Sequence, residues 1–354
     1  MLEKVRLGKT GLMVTRVSMG CIPIQRLSMD EAEKLLLHAL DLGVNFFDSA
    51  HTYTDSEEKI GRAFTGQMRE KIILASKTKS DDYETTIKQI DESLRRFKTD
   101  YIDIYQWHNP ENMNDFLNAH GPYQALEAAR RAGKIRYIGL TNHNLTRTRK
   151  AIETDAFDTV QYPLSLLSTA EEIEMTYLAR DRDIGVIAMK GMCGGHLDDG
   201  RLPFAFLNQY PHIVPIWGVE KIAELEQFIN LAACPEPFSE EMRAETEKLR
   251  QLHGDEFCRG CGYCLPCPAD IPLPMLTRIV LLIKRSVPQA QFTPERLAEI
   301  ERIDHCQNCG HCIAHCPYHL DVPKILQEQK TAYLELYKKY SKKTETQASV
   351  VQKL

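Results

Sequence analysis

The sequence predicts an α/β chain: a (β/α)8 barrel followed by a small, mainly α-helical domain built around cysteines. Three observations carry this. Over the first 230 residues, eight short apolar runs alternate with amphipathic ones. Most of the runs are continuous and rich in Val and Ile, the pattern of parallel strands buried on both faces. Eight of the eleven cysteines then fall in the last hundred residues, at C-x2-C spacing.

The elements follow in order. "VRLGKTGLMV" reads as a hairpin turning at Lys9, Thr10 and Gly11, placed to plug the barrel floor. The strands are "RVSMGCI" (16–22), "VNFFDSA" (44–50), "IILASKT" (72–78) and "YIDIYQWH" (101–108). Four more follow: "IRYIGLTN" (135–142), "TVQYPLS" (159–165), "GVIAMK" (185–190) and "IVPIWG" (213–218). The helix "SMDEAEKLLLHALDLG" (28–43) opens with a Ser28-x-x-Glu31 capping box and stops at Gly43. Further helices are expected at 56–65, 83–98, 122–133, 145–154, 170–183 and 220–232. Such alternation indicates a barrel. The competing fold, an open doubly wound sheet, wants a Gly-rich turn after the first strand, and none is present.

After Cys234 the texture changes. "CPEPFSEE" is a Pro-rich joint, and a charged helix follows at 239–252. The predicted organisation is a barrel over 1–234, a linker helix over 235–253, a cysteine-rich domain over 254–340 and a flexible polar tail over 341–354.

Composition excludes several classes. A net charge of −5 argues against a nucleic-acid or anionic-membrane role. No apolar run approaches the ~18 residues of a membrane span. The first residues lack a basic-then-apolar leader, so a cytoplasmic protein is expected.

In a barrel, chemistry sits at the C-terminal ends of the strands. Strand two ends at Asp48, with Tyr53 in the loop beyond; strand three ends at Lys77 and strand four at His108. An acid, a phenol, an amine and an imidazole thus fall on one rim. Each has a bland alternative as a cap, a rim charge or a packed side chain, but the four together point to a proton-transfer site. A free phenol has a pKa of about 10, too high for proton donation near neutrality. A neighbouring ammonium, Lys77, would lower it, and Asp48 would hold Lys77 charged. His108 would orient a carbonyl oxygen by hydrogen bonding.

The stretches "GVNFFDSAHTYTDSEEKIGRAF", "ILASKT", "DIYQWHNP" and "IRYIGLTNHN" resemble the aldo-keto reductase family over roughly residues 1–230. The resemblance implies NAD(P)-dependent interconversion of a carbonyl compound, an aldehyde or ketone, and its alcohol. Asp48, Tyr53, Lys77 and His108 would be catalytic. Thr141, Asn142 and Gln161 would hold the nicotinamide carboxamide. Gly20, Gly218 and Asp48 would border the cofactor. Where the family stacks an aromatic ring on the nicotinamide, this chain has Met189, with Lys190 beside it for a phosphate. Glu224 and Phe228 stand near the positions where the family carries Arg and Asn. A carboxylate there would repel a 2′-phosphate and accept from a ribose hydroxyl, with Lys221 in partial compensation. The substrate pocket is faint. Loop 109–121 would cover it, and Ile22 replaces a common aromatic. Trp107, Tyr162 and Trp217 are candidates that suit packing better.

The second cysteine run, Cys306, Cys309, Cys312 and Cys316 before Pro317, has the C-x2-C-x2-C-x3-C-P spacing of bacterial ferredoxins. The first, Cys258, Cys261, Cys264 and Cys267, is one residue shorter. The resemblance implies two 4Fe-4S clusters. Cys258, Cys261 and Cys264 would pair with Cys316, and Cys306, Cys309 and Cys312 with Cys267. Two zinc sites are the alternative, though zinc more often uses separated C-x2-C pairs. The apolar "LPMLTRIVLLIKRSV" between the runs makes the domain similar to α-helical ferredoxin-like modules. His305, His311 and His315 read as neighbours of the clusters, not ligands. Hydride chemistry moves two electrons and each cluster one, and no flavin fingerprint is visible. The clusters therefore either wire the barrel to an external ferredoxin or other redox partner, or stabilise their own domain. A non-enzymatic electron-transfer or assembly subunit is the second reading.

Overall fold

The computed structural model describes residues 2–114, 116–117, 120–195, 197, 199–253, 257–285 and 287–351. It divides into two compact units, 1–250 and 251–354.

The first unit is a closed barrel of eight parallel strands. They are β3 (Ser18–Gly20), β4 (Phe46–Asp48), β5 (Ile73–Thr78), β6 (Ile102–His108), β7 (Ile135–Thr141), β8 (Thr159–Pro163), β9 (Gly185–Met189) and β10 (Ile213–Trp217). Strands neighbour in sequence order, and β10 closes onto β3. The expected hairpin forms from β1 (Lys4–Arg6) and β2 (Met13–Thr15), paired antiparallel. Its Leu7 and Val14 cluster with Phe46, Ala75, Ile104, Ile187, Val214 and Ile216, so the hairpin does plug the barrel. The plug seats tightly. Gly8 has φ +52°, and a Cβ there would lie 2.2 Å from the Gly185 amide nitrogen.

The helices between strands are α1 (Met29–Asp41), α2 (Ser56–Ala63), α3 (Tyr83–Phe97), α4 (Pro122–Arg131), α5 (Leu145–Glu153), α6 (Ala170–Asp181), α7 (Arg201–Asn208) and α8 (Ile222–Ala233). The Ser28–Glu31 box is present: the Ser28 amide donates to Glu31 Oε2 at 2.8 Å, and the Glu31 amide to Ser28 Oγ at 3.2 Å. α7 has no counterpart among the sequence-predicted helices. The run "RLPFAFLN" is short, carries Pro203 and is buried almost all round, so neither its length nor a polar face marks it as a helix. α9 (Glu240–His253) follows the barrel, close to the predicted linker helix.

The second unit is helical: α10 (Leu273–Leu276), α11 (Ile279–Arg285), α12 (Pro294–Glu301), α13 (His311–Ala314) and α14 (Val322–Val351). Its core is Ile271, Leu273, Leu276, Ile279, Ile300, Ile303, Leu320, Leu326 and Tyr333, with cysteines of both runs packed against it. α14 continues to Val351 through the stretch predicted as a tail, while residues 254–256 and 352–354 lie outside the described set. No helix among the described residues is long and apolar enough to cross a membrane.

Candidate functional site

The barrel register delivers the four predicted rim residues to one place. β4 and β5 pair in parallel, Asp48 opposite Ala75, so both Asp48 and Lys77 reach the upper interior. Lys77 Nζ donates to Asp48 Oδ2 and to the Ser49 carbonyl, each at 2.5 Å. Both side chains are almost fully buried. The other Asp48 oxygen accepts from Gln106 Nε2 at 2.9 Å, and Gln161 Nε2 lies 3.4 Å from Oδ2. Tyr53 presents its ring to Lys77 Nζ, 5.2 Å from the centroid. His108 meets the same ring edge-on, with centroids 6.1 Å apart.

The electrostatics follow from burial. Burial alone would lower the Lys77 pKa, but Asp48 and Tyr53 outweigh it and leave it above the ordinary lysine value. Burial raises the Asp48 pKa, against the pull of Lys77, Gln161 and Gln106. For Tyr53 the expectation needs correcting. Lys77 does pull the phenol pKa down, but burial is the larger effect and the net direction is up. His108 is pushed down to about 3, by burial first and then by Lys77, Lys79 and Lys190. Its Nδ1 is buried with no hydrogen-bond partner among the described residues.

The Tyr53 loop is held by residues that sequence reasoning missed. The His51 amide donates to the Lys77 carbonyl at 3.0 Å, and Arg96 Nη1 to the His51 carbonyl at 3.0 Å. The His51 ring pairs with Glu92 at 2.8 Å. Beside Lys77, Ser76 donates to the buried Glu57 at 2.6 Å. Gln106 was missed as well. These partners lie tens of residues apart in sequence, so no spacing announces them.

The candidate cofactor residues divide. Thr141 Oγ1 donates to Gln106 Oε1 at 2.6 Å and lies 3.3 Å from Gln161 Oε1, which joins both to the Asp48 network. Asn142 donates to the Pro110 carbonyl at 3.1 Å and accepts from the Asn144 amide at 2.8 Å. Gly20 and Gly218 end or follow β3 and β10, and Met189 ends β9 partly exposed. Lys190, with φ +62°, places Nζ 3.3 Å from His143 Nδ1.

Two residues take other duties. Glu224 Oε2 accepts from the amides of Glu220 at 2.9 Å and Lys221 at 3.3 Å, so it caps α8. Phe228 is core, stacked on Trp217 with centroids 4.2 Å apart. Lys221 is exposed, and Arg26 of the loop after β3 forms an ion pair with Glu220. Ile22 is partly buried. Trp107 donates to the Ser80 carbonyl at 3.0 Å, and Tyr162 to Glu172 at 2.9 Å, both buried. Of loop 109–121, residues 115, 118 and 119 lie outside the described set, and Met113 and Phe116 are buried.

In the second unit the cysteines line two cavities. One is bordered by Cys258, Cys261, Cys264 and Cys316. The other is bordered by Cys267, Cys306, Cys309 and Cys312. Cys264 and Leu273 border both. Apart from the shared Cys264, the lining follows the grouping the ferredoxin resemblance implies, and a hollow ringed by thiols fits an iron–sulfur cluster. Among the described residues, no three or more His, Cys, Asp or Glu side chains form a group that could hold a single metal ion. His305 and His315 are exposed, while His311 borders the second cavity.

Comparison with known proteins agrees with both halves. Residues 16–204 match the model of the aldo/keto reductase family, and residues 252–317 that of a 4Fe-4S dicluster domain. An uncharacterized oxidoreductase of Bacillus subtilis is 31% identical over 228 residues, 55% of this chain and 68% of the relative. An aldo-keto reductase of the same organism is 27% identical over 214 residues, 55% of this chain and 64% of the relative. Among solved structures, a putative aldo-keto reductase from Pseudomonas aeruginosa superposes with a TM-score of 0.59 at 28% identity. That match covers 65% of this chain and 94% of the other. The holo form of a Bacillus halodurans aldo-keto reductase shares the fold, with a TM-score of 0.62 at 21% identity over 70% and 96% of the two chains.

Proposed function

Because the chain belongs to the aldo/keto reductase family and is an oxidoreductase, we propose that its barrel rim interconverts a carbonyl compound and its alcohol, with Tyr53 as the proton donor. The observation that carries this reading is the buried Asp48–Lys77 pair beside Tyr53, with His108 edge-on to the same ring. A nicotinamide dinucleotide would supply or accept the hydride. The Tyr53 hydroxyl gives its proton to the substrate oxygen as negative charge develops there. Lys77 offsets part of the burial that binds that proton tightly. His108 stays neutral at physiological pH, so it orients the carbonyl as a hydrogen-bond donor rather than as a cation. Its orphaned nitrogen is the kind of group a ligand or water satisfies.

Thr141 and Gln161 retain capacity for a carboxamide, while Glu224 and Phe228 are committed to the fold. That leaves Lys221 as the exposed cation of that loop.

The second unit holds two 4Fe-4S clusters in this reading, one per four-cysteine cavity. Such clusters take up and release one electron at a time. The C-x2-C-x2-C-x3-C-P spacing of the second run suits a 4Fe-4S cluster better than zinc, which more often uses separated C-x2-C pairs. The wall shared at Cys264 and Leu273 favours exchange between the clusters, and the exposed Cys309 favours an external ferredoxin or similar redox protein as partner.

Tyr53→Phe tests the barrel half. Carbonyl-dependent oxidation of reduced nucleotide should fall by about 10²–10⁴-fold, while quenching of tryptophan fluorescence by nucleotide is kept. Retained turnover would remove Tyr53 as the acid. A wild-type protein that binds neither NADH nor NADPH would remove the nicotinamide reading.

A further inference from the structure

We propose that Arg259 and His311 each set the reduction potential of one cluster: Arg259 that of the cluster in the cavity with Cys316, His311 that of the cluster in the cavity with Cys267. This rests on the reading that both cavities hold a 4Fe-4S cluster.

The two cavities are chemically unlike. Arg259 lies between Cys258 and Cys261 in sequence and is 9% exposed. Its guanidinium carbon sits 3.7 Å from the centroid of the Tyr318 ring, and both residues border the first cavity. The charge is therefore fixed beside the thiols and withdrawn from water. Arg278 reinforces it. Its guanidinium comes so near the backbone that a Cβ at Gly260 would lie 2.4 Å from it, and its Nε is held by the Pro274 carbonyl at 2.7 Å. A cluster that accepts one electron from an external reductant becomes one unit more negative. A fixed guanidinium in a low-dielectric wall stabilises that added charge and raises the potential.

The second cavity has no lysine or arginine in its lining. Its distinctive group is His311, whose Nε2 is buried with no partner among the described residues. The ring is locked by stacking on His315, centroids 4.1 Å apart and planes 29° from parallel. His315 Nδ1 in turn lies 2.9 Å from the His311 carbonyl oxygen. An N–H directed at a thiolate or cluster sulfur would satisfy the orphan and stabilise the reduced state, since hydrogen bonds to sulfur tune cluster potentials. Neither effect requires a change of protonation.

The experiment is an anaerobic redox titration of the full chain followed by electron paramagnetic resonance, with iron analysis of every sample. In Arg259→Leu the potential of one cluster signal should shift downward and the other stay in place. In His311→Leu the pattern should reverse, and the double variant should lower both. Arg259→Lys and His311→Gln, which keep a cation and an N–H donor, should recover part of each shift. Should a leucine variant fail to take up iron, Arg278→Leu replaces the first and His311→Phe the second, with the same expected shifts. Two iron-replete variants that leave both potentials unchanged, or that move the same signal, would overturn the proposal. A wild-type protein without about eight irons would instead overturn the two-cluster reading beneath it.

Discussion

Replacing Lys77 by methionine keeps the length of the side chain and deletes its charge, leaving Asp48 buried opposite only Gln106 and Gln161. Breaking a buried pair from one side costs about 3–5 kcal/mol. Lys77→Met should therefore lower the denaturant midpoint strongly, and adding Asp48→Asn should recover much of the loss. If the single variant melts like the wild type, the pair does not bind the rim together. His108 makes a pH prediction. Its pKa is about 3 in the fold and near 6.5 unfolded. Stability tied to it is present above pH 6.5 and is lost as the pH falls toward 3, because the unfolded chain gains a proton that the fold excludes. The slope is about 1.4 kcal/mol per pH unit. His108→Asn should flatten the acid limb of a stability–pH curve by that amount, and an unchanged limb would contradict it. The rim quartet was legible because strand ends are legible. Gln106 was not: a polar residue inside an apolar strand looks like noise until Asp48 is placed beside it. The direction of the Tyr53 pKa was illegible too, since it depends on burial that no spacing reveals.

Strand order and the floor hairpin could be read from apolar runs and one turn. Gly8→Ala tests how firmly that hairpin is seated. The new Cβ would sit 2.2 Å from a backbone atom of β9, at a left-handed φ. A loss of about 2–4 kcal/mol is expected by thermal or urea melting, and a neutral result would mean the plug is loosely held. α7 escaped notice because a short apolar run with a proline, buried on nearly all sides, cannot be told from a strand or loop by its pattern alone. The turn into α8 misled in the opposite way. Glu224 looked like a nucleotide contact by position, but its partners are local: two amides at a helix start donate to whatever carboxylate is in reach.

Across the whole molecule, the cysteine spacing announced a shared cofactor and the ferredoxin resemblance implied how the two runs would mix, because thiols that share a cofactor must return to one place however the chain wanders. The barrel's partner residues obey no such rule. Anaerobically purified protein should be brown, with about eight irons per chain; a colourless, zinc-loaded sample would sink the cluster reading. Each cavity is lined by three cysteines of one run together with one or two of the other. Iron at either place would thus act as a crosslink, closing a long loop that the unfolded chain leaves open, and a closed loop costs the unfolded ensemble entropy. The two closures overlap in sequence, so excising either run would strip cysteines from both cavities.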